Sequence, residues 1–183
     1  MGISQSVIGV VPDRYTPFSQ KFSTDGTSSG TTEMGVNGSV TPVEHYIGAV
    51  TTGDRFISHI IWILGYGSAA EGFEFADSGA ALTNGVRVYF THANGSVYTI
   101  MNPKSNYSFF RSSLAPVSST NWEERGFAGT GDYGYFVTTP LSKIVPPYGI
   151  KLPRNSDAKL SILIRDDCTD ADLFNCNAFG FTG

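Results

Sequence analysis

From Val43 onward the chain alternates apolar and polar positions with a period of two. Val43, His45, Ile47 and Ala49 fall on one side of an extended chain, and Glu44, Tyr46, Gly48 and Val50 on the other. That pattern predicts a strand covered on one face. The run "RFISHIIWIL" is more strongly apolar: Phe56, Ile60, Trp62 and Leu64 share one face and Ile57, Ile61 and Ile63 the other, which predicts burial on both sides. "NGVRVYFTHANGSVYTIM" reads as a hairpin. Val86, Val88 and Phe90 point one way, Asn94-Gly95 makes a turn that tolerates positive φ, and Val97 to Met101 returns. Further strands are expected at Tyr133 to Thr139 and Lys159 to Arg165, where Leu160, Ile162 and Ile164 face inward. The last is expected at Phe174 to Phe181, with Phe174, Cys176 and Ala178 inward and Asn175, Asn177, Phe179 and Phe181 opposite. No window sustains helical periodicity. Six to eight short strands with turn signals between them predict an all-β fold, an antiparallel β-sandwich of jelly-roll type.

Residues 1–42 differ. They are rich in Gly, Ser and Thr, most densely in "STDGTSSGTTEMGVNGSV", with apolar residues too sparse for a core face. An extended N-terminal arm over 1–42, followed by one sandwich domain over 43–183, is the expected organisation. The N-terminal "MGISQSVIGVVPDRY" has neither a basic n-region nor a long apolar core, so the chain reads as one made without export.

Composition changes the picture in one respect. Charged residues make up 15% of the 183 positions while aromatics reach 13%, against about 25% charged in an average soluble domain. So few charges leave apolar surface in need of cover, and other copies of the chain or another protein are the expected cover. The second face of the two-sided strand supplies the candidate interface: Ile57, His59, Ile61 and Ile63, joined by Phe179 and Phe181 of the last strand. A net charge of -4 argues against tracking a phosphate backbone. The basic residues Lys143, Lys151, Arg154, Lys159 and Arg165 read as solvated surface. No apolar run is long enough for a transmembrane helix.

Candidate chemistry is thin. "ILGYGSAA" matches G-x-G-x-x-A, but "EGFEFADSGAALTNG" follows it, interrupted by glycines and without a helical stripe, so the βαβ context of a dinucleotide site is missing. His45, His59 and His92 stand singly, with no metal-ligand spacing. Each reads as a hydrogen-bonded histidine rather than a ligand. Glu71 with Glu74, or Glu123 with Glu124 beside Trp122, are the only carboxylate pairs to suggest for a hydrolase. No cofactor and no metal are expected.

"RDDCTDADLFNCNAFGF" concentrates four carboxylates in seven positions. An EF-hand-type loop needs alternating oxygen ligands, a Gly and a distal Glu; Asp166, Asp170 and Asp172 do not fall in that register and no Glu follows. A capped turn at Thr169-Asp170-Ala171-Asp172 accounts for them with less. Cys168 and Cys176 flank it and read as reduced, half-buried thiols.

Two segments together resemble virion proteins of tailed bacteriophages with a jelly-roll build. "FEFADSGAALTNGVRVYF" is similar to their LTNGI-type strand start. "LSILIRDDCTDADLFNCNAFGF" is similar to their closing element, in which a strand ends at paired aspartates, a short turn follows, and the last strand finishes aromatic-Gly-aromatic. The resemblance runs over residues 43 to 183, and departs at Cys168 and in the Gly/Ser-rich start. It implies a non-enzymatic structural protein of the virion, assembled in the host cytoplasm. A capsid decoration or cement protein is the leading expectation, associating as a homo-oligomer, with a trimer among the candidate states, on the major capsid protein or another virion protein. A neck or tail component, or a tail-fibre module that binds a receptor or carbohydrate, is the alternative.

Overall fold

A computed structural model describes residues 15–27, 29–66, 82–104, 124–126, 133–169, 171 and 173–183, with backbone alone at 64–66, 124–126, 133–137 and 173. Among the described residues the elements are β1 (Thr16–Lys21), β2 (Val43–Gly48), β3 (Arg55–Tyr66), β4 (Arg87–Thr91), β5 (Val97–Met101), β6 (Glu124–Gly126) and β7 (Tyr133–Thr139). A single helical turn, α1 (Leu141–Ile144), follows, and then β8 (Ile150–Leu152), β9 (Lys159–Ile164) and β10 (Leu173–Thr182). Every expected strand is present within a residue or two. Strands β1, β6 and β8 are additional, being too short or too polar to show as a period.

All pairings are antiparallel. Sheet A has the order β1-β10-β3-β7-β6, with β8 on β3, and sheet B the order β2-β9-β4-β5. The two sheets pack as a β-sandwich. Sheet B contributes Ile47, Val88, Leu160, Ile162 and Ile164 to the core, and sheet A contributes Ile57, Ile60, Trp62, Phe174, Cys176 and Ala178, all fully buried. Each large side chain hidden this way stabilises the fold by roughly 1.5–3 kcal/mol. The Trp62 indole donates to Thr139 Oγ1 at 3.2 Å, which removes the cost of burying its N–H.

The expected faces of β3 need one correction. Along β10 the register runs Phe179 to His59 and then Gly180 to Ile57, so Ser58 is an extra residue on β3. This bulge shifts the phase. Ile57 therefore joins Ile60 and Trp62 inside the core, and Phe56 turns to the outer face with Phe181, its partner in the register. Ser58 Oγ donates to the Phe179 carbonyl at 3.1 Å, holding the bulge. Gly180 is required here, because a Cβ on it would lie 1.8 Å from the Phe56 carbonyl oxygen.

Residues 16–27 and 29–38, expected in a separate arm, are bonded into the sandwich. All six residues of β1 pair with β10, and Phe22 and Met34 are fully buried in the core. Phe22 N donates to Cys176 O, Ser23 and Tyr46 exchange backbone bonds, Cys168 N donates to Val36 O and Gly38 N to Asp166 O. Glu33 fastens the crossing: its Oε1 accepts from the amides of Met34, Gly35 and Phe174 at 3.1, 2.9 and 2.9 Å. Sparse apolar positions suffice because Phe22 and Met34 land in the core and Phe18 and Val36 pack against it. Residues 1–14 lie outside the described residues.

Gly180→Ala should cost more than about 3 kcal/mol by overpacking the bulge. Gly95→Ala, in an open turn at φ +84°, should cost about 1 kcal/mol. Urea denaturation of both variants checks the ranking; equal costs would remove the bulge from its central place.

Candidate functional site

The outer face of sheet A is where sequence expectation and geometry meet. His59, Ile61 and Ile63 of β3 and Phe179 and Phe181 of β10 lie on it, all half-buried. Ile57, expected with them, is instead in the core, for the reason given by the bulge. The imidazole of His59 stacks on Phe179 at 5.1 Å and 3°, with Ser58 Oγ 2.9 Å from its Nδ1. Burial lowers the His59 pKa, which favours a neutral ring against an apolar neighbour.

The periodicity did not show the second half of this face. Phe56 stacks on Phe181 at 5.1 Å, Tyr15 meets Phe181 edge-on at 5.1 Å, and Tyr148 meets Phe56 and Phe181 edge-on at 6.0 and 5.9 Å. Such edge and offset contacts add to plain area burial. Tyr148 remains 58% exposed, so the cluster has an open side. Gly180 within "FGF" was the available signal: a glycine between two strand aromatics marks a close backbone approach, and with it a change of phase.

Sheet B's outer face has different chemistry. Glu44 accepts from Tyr89 Oη at 2.5 Å and from Lys159 Nζ at 2.9 Å. Lys159 also lies 4.9 Å above the Tyr46 ring, and Arg87 4.9 Å above Tyr89. Burial, with the bond to the Glu44 carboxylate, pushes the Tyr89 hydroxyl up to about 12. Lys159 is thus an ion-pair partner, as is Lys151 with Asp54, and neither is simply solvated. The charged groups of this face pair with one another, whereas on sheet A's outer face His59, Ile61, Ile63 and Phe179 form an uncharged strip beside Asn177, with Lys21 across from Asn177 on the edge strand.

The acidic stretch after β9 is a structural junction. Asp166 is buried, and its carboxylate accepts from Asn84 N at 3.0 and 3.1 Å, from Asn84 Nδ2 at 3.1 Å and from Gly85 N at 2.8 Å. Arg165 Nη2 donates to Asn84 O at 2.6 Å and to Asn102 Oδ1 at 2.9 Å. The "LTNG" and "RDD" segments are therefore one contact. Asp167 accepts from Thr169 N at 3.1 Å, Thr169 Oγ1 at 2.6 Å and the Asn37 amide, so the Thr169 hydroxyl serves Asp167. Asp170 and Asp172, the rest of the expected cap, lie outside the described residues. A turn bond from Ala171 N to Cys168 O at 3.2 Å is present. Cys168 and Cys176 are free and fully buried rather than half-buried. Burial, with Asp166 and Asp167 nearby, pushes the Cys168 thiol up to about 12, and burial raises Cys176; thiols so held are poor nucleophiles.

Other sequence candidates resolve less. Gly65 is a β3 residue paired with Leu173 and Gly134, while residues 67–70 of the glycine motif lie outside the described residues. So do Glu71, Glu74, Trp122 and Glu123, and of Glu124 only the backbone in β6 is described. Among the described residues no three His, Cys, Asp or Glu side chains gather as metal ligands, and no helix is long and apolar enough to cross a membrane.

Comparison of the chain with protein-family models, with curated proteins and with solved structures finds no match in any of the three.

Asp166→Ala should destabilise the protein by about 2–4 kcal/mol, because it orphans the amides of Asn84 and Gly85 at a buried site. Adding calcium to the unaltered protein should leave its melting temperature unchanged. A calcium-dependent rise, read by calorimetry, would mark the stretch as an ion site after all.

Proposed function

We propose that the chain is a non-enzymatic structural protein of a bacteriophage virion, built as a jelly roll and acting as a capsid decoration or cement protein. Strand order carries this reading. With the short β6 and β8 set aside, eight strands remain in chain order. One sheet then holds the first, eighth, third and sixth, and the other the second, seventh, fourth and fifth. That alternation matches what two interleaved Greek keys produce, and so supports a jelly roll like those of viral capsid and lectin domains. The Asp166 junction adds support, since it joins the two segments on which the phage resemblance rests.

Between capsid and other uses of the fold, the outer face of sheet A favours assembly. An uncharged strip of Ile61, Ile63, His59 and Phe179 beside an aromatic cluster suits burial against another protein surface. Copies of the chain, as a homo-oligomer, and the major shell protein are the partners this reading names. The open Tyr148 ring supports a second reading, a receptor- or carbohydrate-binding module of a tail fibre, since an exposed ring beside the Asp54–Lys151 pair could stack on a sugar face.

Quantitative mass spectrometry of purified particles should find the chain at a copy number comparable to that of the shell protein. A number far below it would place the chain at a neck or tail, and its absence from particles would remove the virion reading. Light scattering should give a mass above the 19.7 kDa of one chain, and Ile61→Asp should return it to that of a monomer. Tests of an arm should remove residues 1–14 only, because 16–38 belong to the sandwich; shells should lose the truncated protein if the arm attaches it. Glycan binding that Tyr148→Ala abolishes would favour the tail-fibre module.

A further inference from the structure

We propose that His45 is a pH-sensitive latch, fastening residues 33–38 over the end of the sandwich at neutral pH and releasing them on acidification. His45 lies on β2, facing the core, and is fully buried. Its Nε2 is 2.9 Å from the carbonyl oxygen of Glu33. A carbonyl only accepts, so Nε2 carries the proton and Nδ1 is the bare nitrogen of a neutral ring. Nδ1 is buried without a hydrogen-bond partner. A proton added there would make a cation whose new N–H has no acceptor, the costliest kind of buried polar group.

The surroundings offer little to offset that cost. Across the sheet the register places Ile162 of β9, and beyond it Val88 of β4, beside His45, and both are apolar. The charged group that acts on the ring is Glu33, from the covering segment, but its carboxylate is committed to the amides of Met34, Gly35 and Phe174. Burial outweighs that attraction and lowers the His45 pKa from 6.5. The sign follows: a lowered native value means that the unfolded or opened chain takes up the proton more readily. His45 therefore contributes stability above about pH 6.5, and loses it as pH falls through the native value.

The covering segment is the part that can yield. Strand β2 is held by six paired residues of β9, whereas 33–38 has no ladder. It is held by the Glu33 clamp, by Met34 N to Phe174 O at 2.7 Å, Cys168 N to Val36 O at 3.1 Å and Gly38 N to Asp166 O at 2.9 Å, by the Asn37 amide on Asp167, and by the Met34 side chain in the core. Glu33 is half-buried, so lifting this segment brings water to the ring over the shortest path. Opening leaves the rest of both sheets paired. The latch does not depend on the virion reading.

Hydrogen–deuterium exchange on the full chain tests it, at about pH 7.5 and about pH 5.5, above the ordinary carboxylate range, with rates corrected for intrinsic pH dependence. Protection of the Met34, Gly35 and Phe174 amides should fall at the lower pH while β9 stays protected, by at most about tenfold because pH 5.5 lies one unit below the free imidazole's 6.5. His45→Gln keeps a donor for Glu33 O but takes up no proton, and should lose this pH dependence. An equal loss in His45→Gln, or none in the unaltered chain, overturns the latch. NMR titration of the unaltered chain covers the case in which the variant does not fold. Those three amides should shift together with the His45 ring, at a midpoint below 6.5. A midpoint at or above 6.5, or amides that ignore the ring, overturns it equally.

Discussion

The antiparallel pairing of β3 with β10 organises the molecule. Strand β3 also holds β7 along its second edge and β8 beyond that, so any change in its phase is passed to most of sheet A. The extra residue at Ser58 makes such a change. On one side of it Ile60 and Trp62 fill the core; on the other Ile57 does so, and without the bulge Phe56 would point inward in its place. The same half-turn delivers Phe56 to the outer face, where it builds the aromatic cluster with Phe181, Tyr15 and Tyr148. Core and candidate interface thus depend on one local irregularity, held by the lack of a side chain at Gly180.

A second theme is the use of carboxylates as backbone clamps. Glu33 gathers three amides from two segments, and Asp166 gathers the amides of Asn84 and Gly85. Asp25 closes its own turn on Thr27, and Asp54 accepts the amide of Arg154. In a chain with only 16 acidic residues, this gives several of them a structural duty. The reason is physical: a sandwich leaves unpaired amides wherever the chain passes between sheets, and an ionised carboxylate is the strongest acceptor a side chain offers. The carboxylates of Asp166 and Asp167 therefore mark a crossing point of the chain.

The two outer faces differ in their chemistry. Sheet B turns out a polar network of Glu44, Tyr89, Lys159 and Arg87. Sheet A turns out rings and branched aliphatics interspersed with Asn175 and Asn177, with Lys151 over the Phe56 ring. One sandwich can present both because alternate strand residues face opposite ways, so a single strand supplies the core and an apolar exterior without lengthening.

Most of the strands were legible in the sequence. Period-two alternation is a local property, so β2, β4, β5, β7, β9 and β10 could be placed from it, together with the inward set Leu160, Ile162, Ile164, Phe174, Cys176 and Ala178. The free state of the two cysteines was legible too. What periodicity could not carry was any feature set by a residue far along the chain. Ile57 was read on the wrong face because its phase depends on Gly180. Residues 16–38 read as an arm because their few apolar side chains find a core only after β10 and β2 are in place. The roles of Asp166, Glu33 and His45 were hidden for the same reason, since each meets a partner brought near by folding: Asn84 and Gly85, Phe174, and the Glu33 carbonyl. Alternation along the chain determined which segments are strands and which way most of their side chains point. Only the tertiary structure decided where that alternation slips and which carboxylate meets which amide, because those depend on contacts between residues distant in sequence.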